Sequence, residues 1–180
     1  MIDLPSRYEH RRLLGAGGMG QVHLVFDREA DREVALKTLR AGGDGGASED
    51  ARYLFEQEFW AMASLRHPNL VEGHDFGILP DGNPYLTMEA VPGADLAIDA
   101  PLPEAQVRGW LPGIAAALAF LHARGFVHGD LKPENVRLRD DGVAKLMDLG
   151  LLTRAGRSGG TIRGSLHYMA PEIARQGAVD

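Results

Sequence analysis

The chain contains no cysteine. Disulfides, thiolate catalysis and cysteine-ligated zinc are thereby excluded. Positive charge is in short supply: 19 Lys+Arg against 25 Asp+Glu leave a net charge of −6. That is the wrong balance for a general nucleic-acid binder, whose affinity comes mostly from clustered cations. Long apolar runs are missing too. The most apolar unbroken one, Ile114 to Leu121, is eight residues long, far short of a membrane span. Met1 to Pro5 lack the basic and apolar regions of a signal peptide. A soluble, cytoplasmic chain is expected. What is present is ordinary globular material, 180 residues with 44% apolar and 24% charged. This argues against disorder along the whole chain and fits one medium domain or two small lobes.

Residues 8–14 lead into the glycine run Gly15-Ala16-Gly17-Gly18-Met19-Gly20. Val22, Leu24 and Phe26 then alternate with other residues, the period of a strand, and Glu33 to Leu39 repeats the pattern after a charged turn. Val34 and Leu36 fall on one face of that second strand, Ala35 and Lys37 on the other. Ala41 to Asp50 has the composition of a flexible loop. Phe55, Phe59, Met62 and Leu65 recur at helical spacing, and strands are expected near Leu70–Phe76 and Pro84–Glu89. Beyond Val91-Pro92-Gly93, the residues Val107, Trp110, Leu111, Ile114, Leu118 and Leu121 define a strong apolar helix face. Pro112 and Gly113 interrupt it, which predicts a kink or a late helix start. A strand-rich part (8–91) and a helix-led part (92–180) predict an α+β fold of two lobes around a cleft.

The glycine run has the form G-x-G-x-x-G. A dinucleotide-binding fold needs a helix after the glycines; here a strand follows, so they cap a hairpin. A hairpin tip with no ligand would look the same. Four more motifs follow in order: Val34-Ala35-Leu36-Lys37, His128-Gly129-Asp130-Leu131-Lys132-Pro133-Glu134-Asn135, Asp148-Leu149-Gly150 and Ala170-Pro171-Glu172. With these five elements the chain resembles the eukaryotic-like protein kinases from about Tyr8 onward. The wording of the glycine loop and of the run Gly164 to Glu172 is most similar to the bacterial (Hanks-type) serine/threonine members. The resemblance implies a two-lobed kinase fold, β-rich first and helical second.

It also implies roles. Gly15, Gly17, Gly18 and Gly20 would let backbone N–H groups approach the phosphates of ATP. Val22 and Ala35 would close over the adenine, and Lys37 would reach the α- and β-phosphates. A buried lysine needs an anionic partner. Glu58, nine residues before His67-Pro68-Asn69, is the family's choice, while Glu56 rivals it on register alone. Asp130 would accept or orient the proton of a protein Ser/Thr hydroxyl. Lys132 would neutralise the transferring phosphoryl group, in the loop form typical of Ser/Thr-directed kinases. Asn135 and Asp148 would supply oxygen ligands for Mg2+, although carboxylates at such places also serve as turn or cap residues. Met88 falls at the gatekeeper position, Glu89 and Val91 would offer backbone groups to the adenine edge, and Asp95 would reach the ribose. Glu89 and Asp95 could equally be surface charges. His128 reads as a packed structural residue, and Trp60 and Trp110 as core.

The departures are specific. Gly129 replaces the arginine that commonly pairs with a phosphorylated activation-loop residue, so activity independent of such phosphorylation is expected. Leu149 stands where phenylalanine is usual. Arg137 occupies the normally apolar floor of the adenine site. The chain stops eight residues after Glu172, whereas kinase domains run to roughly 250 residues. A catalytic domain cut after the Ala170-Pro171-Glu172 motif is therefore expected, with the face holding Ile114, Leu118 and Leu121 partly uncovered and a partner or missing part to cover it. Two other functions compete with a protein kinase: a non-catalytic nucleotide-binding or docking module, and a small-molecule kinase of similar fold.

Overall fold

The computed structural model describes residues 2–17, 20–39, 48–95, 103–150, 152–154, 165–169 and 171. The chain divides into two compact units, Met1–Arg66 with Glu72–Val91, and His67–Val71 with Pro92–Asp180.

The first unit is an antiparallel sheet in the order β1-β2-β3-β5-β4. Its strands are β1 (Tyr8–Gly17), β2 (Gly20–Asp27), β3 (Arg32–Leu39), β4 (Gly73–Ile78) and β5 (Pro84–Glu89). Central β3 is buried from Val34 to Thr38, so both of its faces are covered. On one face Val25, Val34 and Leu36 pack with Tyr8, Leu79 and Tyr85, and the N-terminal Ile2 and Leu4 lie against that cluster. Helix α1 (Glu49–Ser64) belongs to the other side of β3. Ser48 caps it through its hydroxyl, with Glu49 and Asp50 in the first turn, an arrangement that satisfies N-terminal N–H groups and favours the helix dipole. Glu49 and Asp50 thus leave the expected loop, whose residues 41–47 lie outside the described ones. The inward stripe of α1 is Phe55, Glu58, Phe59 and Met62. Trp60 is a correction: it is 57% exposed, because it lies one residue, about 100°, off that stripe.

The expected strand at Leu70–Phe76 begins instead at Gly73. Residues 67–71 belong to the second unit, where they bond to β9 (Ala144–Leu146). Val71 N–H donates to the Leu146 carbonyl at 3.0 Å, and Leu146 N–H donates back to Asn69 at 2.8 Å. The Asn69 amide also donates to the Ala144 carbonyl at 2.8 Å. The second unit further contains β6 (Ala94–Asp95), α2 (Glu104–His122), β7 (Phe126–Val127), β8 (Val136–Leu138) and β10 (Thr153–Arg154). Strands β6-β8-β9 form one ribbon and β10-β7 another.

Helix α2 does not start late. It runs unbroken through Pro112, whose exposed position leaves the carbonyl deprived of a partner, that of Arg108, on the solvent side. Gly113 permits close approach to segment 67–71: a Cβ there would sit 2.5 Å from Asn69 Nδ2. Of the apolar face expected to be partly uncovered, Ile114 and Leu121 are buried, as is Ala117, because α2 packs on β9; Leu118 is half-buried. Leu111, at 49% exposure, falls outside that stripe.

Acidification is expected to remove stability in two windows. His23, His67, His74 and His128 are each held below the ordinary imidazole value, by burial first. At His23 the second cause is His10, whose Nε2 lies 3.1 Å from His23 Nδ1. A base depressed in the folded state is protonated preferentially in the unfolded chain, so stability falls as pH drops through about 6.5. Asp27 shares that sign, from a different cause and at lower pH. Two bonds from Arg7, at 2.8 and 2.6 Å, lower its carboxyl to about 2 from 3.8 despite burial. Its contribution, about 2 kcal/mol, is present above pH 4 and lost towards pH 2. Urea unfolding across pH checks both windows: His23→Gln should remove part of the upper one and Asp27→Asn should flatten the lower.

Candidate active site

The sheet of the first unit sorts the sequence-selected residues by register. Val22 lies opposite Lys37, and Ala35 opposite Met88. Directly opposed residues share a face, so these four line one side of the sheet. Ala35, Lys37 and Met88 are buried. Gly15 pairs with Val22 and Gly17 with Gly20 at the hairpin tip; Gly18 lies outside the described residues. Lys37 Nζ donates to both oxygens of Glu58, at 2.6 and 2.8 Å. Glu58 is 5% exposed; Glu56 is exposed and accepts instead from the Trp60 indole at 3.4 Å. A two-residue step turns a helix by about 200°, so only one of these carboxylates can face β3. At the end of β5, Glu89 N–H is engaged by the Glu72 carbonyl at 2.8 Å, and Val91 is buried.

In the second unit the loop after β7 brings five polar groups together. His128 is buried. Its Nε2 lies 3.1 Å from the Met147 carbonyl, and its Nδ1 is 3.3 Å from Asp130 N–H. Those partners assign Nε2 as the protonated nitrogen and the ring as neutral. Gly129 adopts φ +81°, a region that favours glycine. Asp130 Oδ1 accepts from Ser165 N–H at 2.8 Å, and its Oδ2 meets Lys132 Nζ at 2.7 Å. Lys132 Nζ also donates to Ser165 Oγ at 2.9 Å. Pro133 opens a one-turn 3-10 helix ending at Asn135. The Asn135 amide nitrogen donates to the Asp130 carbonyl at 2.8 Å and to its Oδ2 at 3.1 Å.

Burial works to raise the Asp130 carboxyl, but the bonds from Lys132 and Ser165 outweigh it and hold it below the usual range. Lys132 is raised in turn, first by its bond to Asp130. An ionised carboxylate therefore stands beside an ammonium near neutral pH. Ser165 is the member that reading the sequence missed. Its only signal was a hydroxyl residue at the head of the run that ends in Ala170-Pro171-Glu172.

Asp148 and Asn135 are coupled through the backbone. Met147 N–H donates to the Asn135 carbonyl at 2.7 Å, while the Met147 carbonyl meets His128. Asp148 follows with φ +52°, rare for a residue with a side chain. Its Oδ1 accepts from Gly150 N–H at 3.3 Å, and Leu149 is 1% exposed. Among the described residues no three His, Asp or Glu gather as a closed metal cage. An amide oxygen and one carboxylate are a hard donor pair that suits magnesium, which keeps waters and substrate phosphates as its other ligands. The residues therefore fit that ion. Ala170, Glu172, Thr161 and the side chain of Asp95 lie outside what the structure describes.

An antiparallel sheet with a buried lysine–glutamate pair, and a second unit built around an aspartate–lysine–asparagine loop, define a protein-kinase-like fold. The protein kinase domain family matches residues 8–180. The chain is 39% identical over 179 residues to the serine/threonine-protein kinase PknG of Mycolicibacterium smegmatis, an overlap of 96% of this chain and 23% of that one. It is 38% identical over 188 residues to the DNA damage-responsive serine/threonine-protein kinase RqkA of Deinococcus radiodurans (98% and 28%). To the serine/threonine-protein kinase PknB of Mycobacterium leprae it is 35% identical over 190 residues (98% and 30%). The chain belongs to the protein kinase family, in its bacterial Hanks-type serine/threonine branch. It spans less than a third of the length of these curated relatives.

Proposed function

We propose that this chain is an ATP-dependent protein serine/threonine kinase that acts in the cytoplasm, where ATP and magnesium are available. Residues 8–91 would form its nucleotide-holding lobe and 92–180 part of its catalytic lobe. The observation that carries this reading is the set Asp130–Lys132–Ser165–Asn135, in which a carboxylate is held ionised and aimed by three neighbours. Asp130 orients a substrate Ser or Thr hydroxyl and takes up its proton as the oxygen bonds to the γ-phosphorus. The bond from that phosphorus to the ADP oxygen breaks. Lys132 offsets charge on the phosphoryl group in flight, and Lys37, aimed by Glu58, holds the α- and β-phosphates. Gly15, Gly17, Gly18 and Gly20 present N–H groups to the phosphates; Val22, Ala35, Met88, Glu89 and Val91 receive the base, and Asp95 the ribose. Asn135 and Asp148 would hold magnesium, which neutralises phosphate charge when bound.

The test is γ-phosphate transfer from magnesium-ATP to a generic Ser/Thr protein, with the Asp130→Asn variant alongside. Chain-dependent transfer supports the reading. Nucleotide binding without transfer favours the non-catalytic module instead.

Gly129 offers no cation to a phosphorylated activation loop. Thr161→Ala and Thr153→Ala should therefore keep transfer within about threefold of the parent. Abolished activity in either variant would show that a phosphate there matters.

A further inference from the structure

Arg137 is a polar side chain of the second unit that the catalytic scheme leaves unused. It sits in the middle of β8, where Asp95 of β6 is its cross-strand partner. Its Nη2 donates to the Gly93 carbonyl at 2.8 Å. Gly93 itself has φ +120°, and a Cβ on it would fall inside the Leu138 carbonyl oxygen. Segment 93–95 is thus pressed directly onto β8, and the guanidinium closes over its first carbonyl. A charge-assisted bond of this kind fixes backbone more firmly than aliphatic contact would, because it has a direction as well as an area.

We infer that Arg137 is a positioning residue for nucleoside recognition: it clamps segment 93–95 and so fixes the backbone that carries Asp95, the residue proposed for the ribose. This rests on the proposed nucleotide-binding function and on its assignment of Asp95. Lysine is a shorter point-charge donor that would reach the Gly93 carbonyl less well, and leucine removes the clamp altogether.

The experiment is a binding cycle on the purified chain, by calorimetry with magnesium-ATP, across wild type, Arg137→Leu, Asp95→Ala and the double variant. Arg137→Lys and thermal melts of every protein run in parallel. The expected result is about a 3- to 10-fold loss of affinity for Arg137→Leu, with Arg137→Lys between it and wild type. The double variant should bind no worse than the weaker single one, because both substitutions remove the same ribose contact. With 2′,3′-dideoxy-ATP, which lacks the ribose hydroxyls, Arg137→Leu should lose less than twofold relative to wild type. Undiminished binding by Arg137→Leu would overturn the inference alone, as would losses that multiply in the double variant or persist in full with the dideoxy nucleotide. No ATP binding by a folded wild-type chain would overturn the nucleotide-binding reading together with this one.

Discussion

Asp130→Asn is expected to lower γ-phosphoryl transfer by about 10²- to 10⁴-fold while leaving ATP affinity nearly unchanged. The substitution keeps the shape of the side chain and its acceptor for Ser165 N–H. What it removes is the negative charge beside Lys132 and the group that takes the hydroxyl proton. Its new amide N–H₂ would also meet a donor, either Lys132 Nζ or the Asn135 amide, each now bonded to Oδ2. The loss should therefore appear in kcat with the KM for ATP steady, the pattern of an interaction made in the transition state. Parallel measurement of ATP Kd and of transfer checks this. Transfer that survives intact would remove Asp130 from the mechanism.

The second large effect falls on stability as well as turnover. Lys37→Met leaves Glu58 buried without its ammonium, and Glu58→Gln leaves Lys37 without its carboxylate. Breaking a buried pair from one side costs about 3–5 kcal/mol, whereas replacing both members by apolar groups of similar volume is often nearly neutral. Lys37→Met combined with Glu58→Leu should thus recover much of the stability lost by either single variant. It should still be unable to hold the phosphates. Denaturant unfolding of the three variants, beside transfer assays, separates the two properties. A double variant no more stable than the singles would show that the pair contributes through more than charge compensation.

The family and the order of elements were legible in the sequence because each motif is short and local. A glycine run before an alternating strand, a lysine on the next one, and an Asp-x-Lys-x-x-Asn loop need no tertiary contact to be seen. Strand period and helix period likewise placed β2, β3, β5 and both helices near their observed spans. Where reading along the chain fell short, a long-range partner or the side on which an element meets solvent was responsible. Leu70 and Val71 look apolar enough for the start of β4, yet Val71 N–H donates to the carbonyl of Leu146, 75 residues further on, and Leu70 is bridged to the same residue. Pro112 signals a helix break, but its deprived carbonyl faces solvent and α2 continues. Trp60 has a core residue's chemistry and lies on the wrong side of α1.

Composition and motif order by themselves determined that this is a kinase-like chain, without cysteine chemistry and with its glycines on a hairpin. Only the tertiary structure decided which carboxylate meets Lys37, because Glu56 and Glu58 differ by helix rotation and not by residue type. It alone brought Ser165 to Asp130 across 35 residues of chain and turned Arg137 onto Gly93 across 44. The reason is common to all three. A side chain's chemistry is written in its own residue, but its partner is set by how distant elements pack.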